Sequence, residues 1–209
     1  MKILQGLLSA IAAGFCIGLG GAVFLLQSEK LVGALLFCVG LYTICGMQFH
    51  LFTGRVCYAL EQPLWSWFRF PLIWIGNWLG AGLAASLLGL TRVEPVARQA
   101  ALVLVAGKNG DTLLSLFILG FFCNIFVFIA VEGYKTFPLA LGKYLAIFVS
   151  ITVFIMSGYE HSVADMFYYF MAGQMDQEAL VRLLVITGGN ICGGLTAWGA
   201  RQAARKAAG

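Results

Sequence analysis

The stretch "SGYEHSVADM", residues 157–166, gathers Glu160, His161 and Asp165 at the end of a long apolar run. Inside a bilayer each ionisable group costs roughly several kcal/mol, and such groups usually pair or line a pathway. A neutral imidazole donates one hydrogen bond, whereas an imidazolium donates two and carries charge. His161 can be read as a hydrogen-bonded structural residue or as a pathway group, and its setting favours the pathway. Glu160 lies about 100° around a helix from His161, so it is expected to pack against another segment. Asp165 falls at i+4 from His161 and shares its face. It is expected either to hold or counter the ring, or to be a carboxyl bonded within the break.

A second interruption, "GMQFHLFTG" at residues 46–54, carries His50, the other histidine of the chain. Thr53 supplies a hydroxyl there, and Leu51 and Phe52 supply bulk. An apolar constriction with a few convergent donors passes small neutral molecules and blocks hydrated ions. Phe37 and Phe154 each precede a break at similar distance and are candidates for narrowing the path, the alternative being plain core. Lys108 is expected at the outer edge of the fourth apolar segment, where a lysine at a channel mouth draws anions or simply sits at the interface. Asn77, Asn124 and Asn190 are amides inside apolar runs. Asn77 and Asn190 are read as helix glue.

These residues need elements to hold them. The chain has 209 residues, of which 61% are hydrophobic and 11% charged, far too few polar side chains to coat a soluble globule. The bilayer is the matching solvent, and a single transmembrane domain over residues 1–209 is expected. No basic stripe suggests nucleic acid. The six cysteines lie in apolar runs without metal-like spacing and are read as reduced, buried thiols, with no metal or cofactor implied. The first apolar run lacks a convincing cleavage site and is read as a retained helix.

Six apolar segments are long enough to cross: about 5–26, 31–60, 66–90, 111–134, 138–173 and 180–200. The second and fifth are too long for one crossing and break at the stretches above. The breaks hold corresponding places in two halves, about 1–95 and 105–209. With three helices in each half, the halves run in opposite directions. This is the pattern of an inverted repeat whose paired broken helices mark a substrate site near the midplane. Of the thirteen Lys and Arg, eight (Lys2, Arg55, Arg69, Lys135, Lys143, Arg201, Arg205, Lys206) fall on the side of the termini and five on the other. Both termini are therefore expected in the cytoplasm.

The pieces "GMQFHLFTG", "GNWLGA", "GFFCNIFVFIAV", "SGYEHSVADM" and "GGNICGG", in this order and spacing, resemble the formate/nitrite transporter family over about residues 8–200. The resemblance implies an aquaporin-like all-α fold of six helices and a homopentamer in the plasma (inner) membrane, each protomer with its own pore. It implies passage of small monovalent weak-acid anions such as formate, nitrite or hydrosulfide. His161 then matches the central pore histidine, Thr53 the threonine of the first break, Lys108 the vestibule lysine and Asn124 the family asparagine. Phe37 and Phe154 match the constriction aromatics, and Leu51 is a further lining residue. His50 stands where the family usually has an acid, and Asp165 where it usually has Asn. The amphipathic N-terminal helix that gates some members is expected to be missing.

The mechanism expected from these residues is proton-coupled. Lys108 draws the anion in, the anion takes a proton before or at the constriction, and His161 stabilises the anionic form at the centre. Glu160 fixes the break and the ring, and Thr53 orients substrate or water. No catalysis is implied. The alternative is a neutral-solute channel of similar fold. A haem-binding electron-transfer subunit on His50 and His161, or an intramembrane hydrolase using a serine beside His161, fits the spacing less well.

Overall fold

The computed structural model describes the backbone of residues 2–208 and the side chains of residues 3–207. Lys2, counted above by charge, therefore has no described side chain. Among the described residues the regular structure is helical: α1 (Lys2–Leu25), α2 (Lys30–Met47), α3 (Phe52–Val56), α4 (Arg69–Leu88), α5 (Glu94–Gly110), α6 (Leu113–Thr136), α7 (Ala140–Met156), α8 (Ser162–Ala172) and α9 (Gln177–Ala208), with short 3₁₀ turns at Ala59–Glu61 and Leu64–Ser66. Five stretches are long and apolar enough to cross a membrane: Ile3–Leu25, Lys30–Met47, Leu64–Leu88, Leu113–Thr136 and Gln177–Ala207. The apolar α7 is shorter, at 17 residues. This is the architecture of a multi-pass membrane protein. Its large exposed apolar side chains, such as Leu31, Leu35 and Val39 on α2, face a solvent that hydrates no backbone.

Two tight helix pairs frame the molecule, α1 with α4 and α6 with α9. Glycine makes each approach possible. A Cβ added at Gly14 would overlap the carbonyl of Asn77, and one at Gly193 would overlap that of Phe121. Lipid gives helices little hydrophobic reason to associate, so close backbone packing supplies the attraction. The broken chains α2–α3 and α7–α8 lie between these pairs. The first continues for only five residues past its break, the second for eleven.

The stretch before the fourth apolar segment forms a helix that the pattern of apolar runs misses. α5 is amphipathic and buries Ala97, Ala101 and Val105, one face at a spacing of four, against α8 and α1. Lys108 lies in its last turn, not on α6. The six cysteines are unpaired, and Cys192 is exposed on α9, whereas burial was expected throughout.

Candidate functional site

Both breaks are cut to one template. At the end of α2, Gln48 adopts a left-handed φ of 59° and the Phe49 amide donates back to the Ile44 carbonyl at 3.0 Å. At the end of α7, Gly158 has a φ of 70° and the Tyr159 amide donates to the Phe154 carbonyl at 3.1 Å. This is a helix stop that satisfies a carbonyl the broken helix would otherwise orphan. Each counterpart in the second break stands 110 positions after its partner in the first, as Gln48 to Gly158 and His50 to Glu160.

The extended residues beyond each stop are tied by an asparagine from a neighbouring helix. Asn77 of α4 accepts from the Phe52 amide at 2.8 Å, and its Nδ2 donates to the carbonyls of Ala10 and His50 at 2.7 and 3.0 Å. Asn190 of α9 accepts from the Ser162 amide at 3.0 Å and donates to Gly120 and Glu160 at 2.8 and 2.9 Å. Unpaired backbone at this depth would cost several kcal/mol per group. The sequence signal for this device is the shared Gly-Asn dipeptide at 76–77 and 189–190. Asn124, expected on the pathway, also ties backbone. Its Nδ2 donates to the carbonyls of Thr53 and Asn190 at 3.1 and 2.7 Å, and it lines neither of the two cavities that flank the breaks.

His161 is the residue that begins α8. Its Nδ1 accepts from the Ala164 amide at 3.2 Å, the place of an N-cap oxygen. A backbone amide can only donate, so the ring proton belongs on Nε2, which faces Thr53 Oγ1 at 2.9 Å. Thr53 and His161 thus join the two breaks at the centre of the molecule, and both are buried. The His161 ring stacks on Phe154 at 5.9 Å, and Phe154 meets Phe37 edge-on at 6.3 Å. The two phenylalanines are not counterparts, as their spacing to the breaks suggested. Phe37 lies a further two turns from its break, and the packing of α2 on α7 brings them together. Asp165 neither holds nor counters the ring, the first of the two roles open to it, and its carboxyl finds its partner outside the break.

Asp165 turns instead to Lys108, whose Nζ donates to its Oδ1 at 2.8 Å and also to Glu160 Oε2. Lys108 is thus not a free cation at a mouth. It is enclosed between two carboxyl groups, and Asp165 is only 2% and Glu160 6% exposed. A cavity of about 240 Å³ opens over this cluster and is walled by His161, Phe37, Phe154 and Tyr168.

On the other side of the Thr53–His161 contact lies a cavity of about 740 Å³ beside both chain ends, reaching Leu7 of α1 and Arg205 of α9. His50 lines it, together with Arg55, Arg69, Lys135 and Arg201, against the acids Glu61 and Glu132. Glu132 bonds Arg201 and accepts from the Tyr58 hydroxyl at 2.6 Å. Leu51 is buried in the core that contains Phe37 and Phe154 and lines neither cavity. Phe52, expected to add bulk to the path, packs away from it in a separate cluster with Val56, Ile73 and Trp74. Among the described residues no group of three or more metal-type ligands occurs.

The comparisons with known proteins agree with this geometry. A family model described as "Formate/nitrite transporter" matches residues 1–202. The formate channel FocA of Haemophilus influenzae is 28% identical over 185 residues, which cover 77% of this chain but only 63% of that protein. A probable formate transporter of Methanothermobacter thermautotrophicus is 29% identical over 221 residues, covering 90% of this chain and 78% of its own. A solved pentameric formate channel with formate bound superposes with a TM-score of 0.81 at 22% identity over 96% of each chain, a likeness of fold.

Proposed function

Because the chain belongs to the formate/nitrite transporter family, we propose that it is a membrane channel for small monovalent weak-acid anions, with formate first and nitrite or hydrosulfide next. Each protomer crosses the inner membrane six times, in two inverted halves of about 1–95 and 105–209 that meet at the breaks, with both termini in the cytoplasm. Five copies assemble, each with its own path. The relatives reported above are named as channels and transporters, and no catalytic role is assigned to this chain.

One observation carries the reading: a ring fixed as an Nε2–H donor, closed in by Phe37 and Phe154, on a polar contact between the two cavities. A bare anion cannot enter such a constriction, because isolated burial of charge costs far more than any single hydrogen bond returns. The neutral acid can enter. The anion collects in a cavity, takes a proton, and passes Leu51 and the phenylalanines as the acid. Nε2–H then donates to its oxygen in place of Thr53 Oγ1, and the hydroxyl of Thr53 turns to serve substrate or water. The start of α8 lies at the same point, and its positive end favours charge developing on that oxygen. On the far side the acid releases its proton.

Proteoliposomes test this. Internal pH is followed on adding formate, nitrite, hydrosulfide or acetate, with wild type beside His161→Phe. A fast change for one anion, lost in an assembled mutant, is expected and names the substrate. Undiminished flux through an assembled His161→Phe pentamer overturns the role of the ring.

A further inference from the structure

The cluster under the smaller cavity does not balance. One ammonium, Lys108, faces two carboxyl groups, Glu160 and Asp165. All three side chains are almost wholly enclosed. Fully ionised, the cluster would leave one uncompensated negative charge in a largely enclosed site, a state that costs several kcal/mol. Two carboxylates held against one another share a proton for the same reason in paired-acid sites.

Among the described residues no second cation bonds either carboxyl. Lys30 of α2 also lines the 240 Å³ cavity, but its Nζ donates to the Met156 carbonyl at 3.2 Å. Arg182 of α9 donates through Nη1 to the backbone carbonyls of Lys108 and Asp111 at 3.0 and 2.9 Å. Cys123 of α6 and Tyr168 and Tyr169 of α8 also face the cluster, and none of them supplies positive charge. His161 has both ring nitrogens engaged elsewhere. Of the other helices packed on α8, α5 carries Arg98 paired with Glu94, α1 carries Cys16, and α9 carries Glu178 in its first turn and Lys206 in its last, while Arg55, Arg69, Arg201 and Arg205 line the opposite cavity. Within the cluster the two oxygens of Asp165 differ. Oδ1 accepts from Lys108 at 2.8 Å, whereas Oδ2 is buried with no partner among the described residues.

We propose that Asp165 Oδ2 holds one exchangeable proton and delivers it to the weak-acid anion entering the 240 Å³ cavity. This deepens the transport reading above and rests on it. The Oδ2–H bond breaks as the O–H bond of the neutral acid forms. Asp165 is left as a carboxylate beside Lys108 until it recovers a proton from water in the cavity. The acid that crosses the constriction is thereby made inside the protein, and entry no longer depends on the small neutral fraction present in bulk water.

Infrared spectroscopy on wild-type proteoliposomes at neutral pH reads the proton directly. A carbonyl stretch of a protonated carboxyl is expected, lost in Asp165→Asn, bleached by formate and untouched by chloride, the anion of a strong acid. In transport, the Asp165→Asn variant should follow the bulk neutral acid, falling about tenfold per pH unit above the acid's own pKa, while wild type falls less steeply. Absence of the band in wild type, or its survival in Asp165→Asn, overturns the proposal. If the mutant fails to assemble, wild type still decides: a band that formate leaves unchanged overturns delivery. A wild type with the band and no flux of any weak acid keeps the proton seat and removes the transport reading instead.

Discussion

At Gln48 and at Gly158 the chain leaves a helix by the same left-handed step, and at both an asparagine from the next helix pair ties down the extended residues beyond it. Above that common backbone the side chains part company. The first break presents His50, Leu51 and Arg55, and the second presents Glu160, His161 and Asp165. Arg55 opens into a large cavity with a surplus of cations, whereas Asp165 closes onto Lys108 beneath a small one. Two demands are thereby separated. The asparagines satisfy the backbone, which leaves each set of side chains free to create its own field. On the functions proposed above, one face of the path gathers anions and the other holds acid.

That separation can be broken by substitution. The largest effect is expected at Lys108, because Lys108→Met strands two buried carboxyls. Breaking such a cluster costs about 3–5 kcal/mol, read as a lower detergent midpoint and loss of the assembled form. Asn190→Ala should cost about 2–3 kcal/mol by leaving buried backbone groups unpaired, and Asn77→Ala should cost the same. Thermal unfolding of the two side by side tests whether the breaks are equivalent, and a clear inequality would end the comparison. Thr53→Val should cost about 1–2 kcal/mol through the unpaired Nε2–H and slow flux, with Thr53→Ser restoring most of it. The smallest effect on stability belongs to Arg55→Gln, within about 0.5 kcal/mol as for other exposed sites. Its influence should be seen in flux, which falls at low ionic strength and converges with wild type at high salt.

The breaks were legible in the sequence because Gly, His and carboxylates stand out against an apolar run. The apolar segments were legible for the same reason. α5 was hidden because its seventeen residues include charged side chains and read as a connection between halves. Pro95 after Glu94, with Ala97, Ala101 and Val105 on one face, is the signal that would have found it. The partner of Asp165 was out of reach. Its i+4 spacing pointed to His161, but the bond runs to a lysine on a helix distant in the chain, and local periodicity says nothing of such pairs. Phe52 obeyed the same logic in reverse. A bulky residue beside the pore threonine suggested a lining role, but successive residues on a helix face different ways, and Phe52 turns into the packing against α4 and α9.

The ring of His161 is bolted to α8 by its Nδ1. A histidine that relays protons along a wire must release one nitrogen as it loads the other, and here that would cost α8 its N-cap, about 0.5–2 kcal/mol. For a membrane that stores energy as a proton gradient, this fastening would insulate the gradient. On the transport reading proposed above, water would not pass charge hand to hand through the centre, and each proton would cross only as part of a cargo molecule.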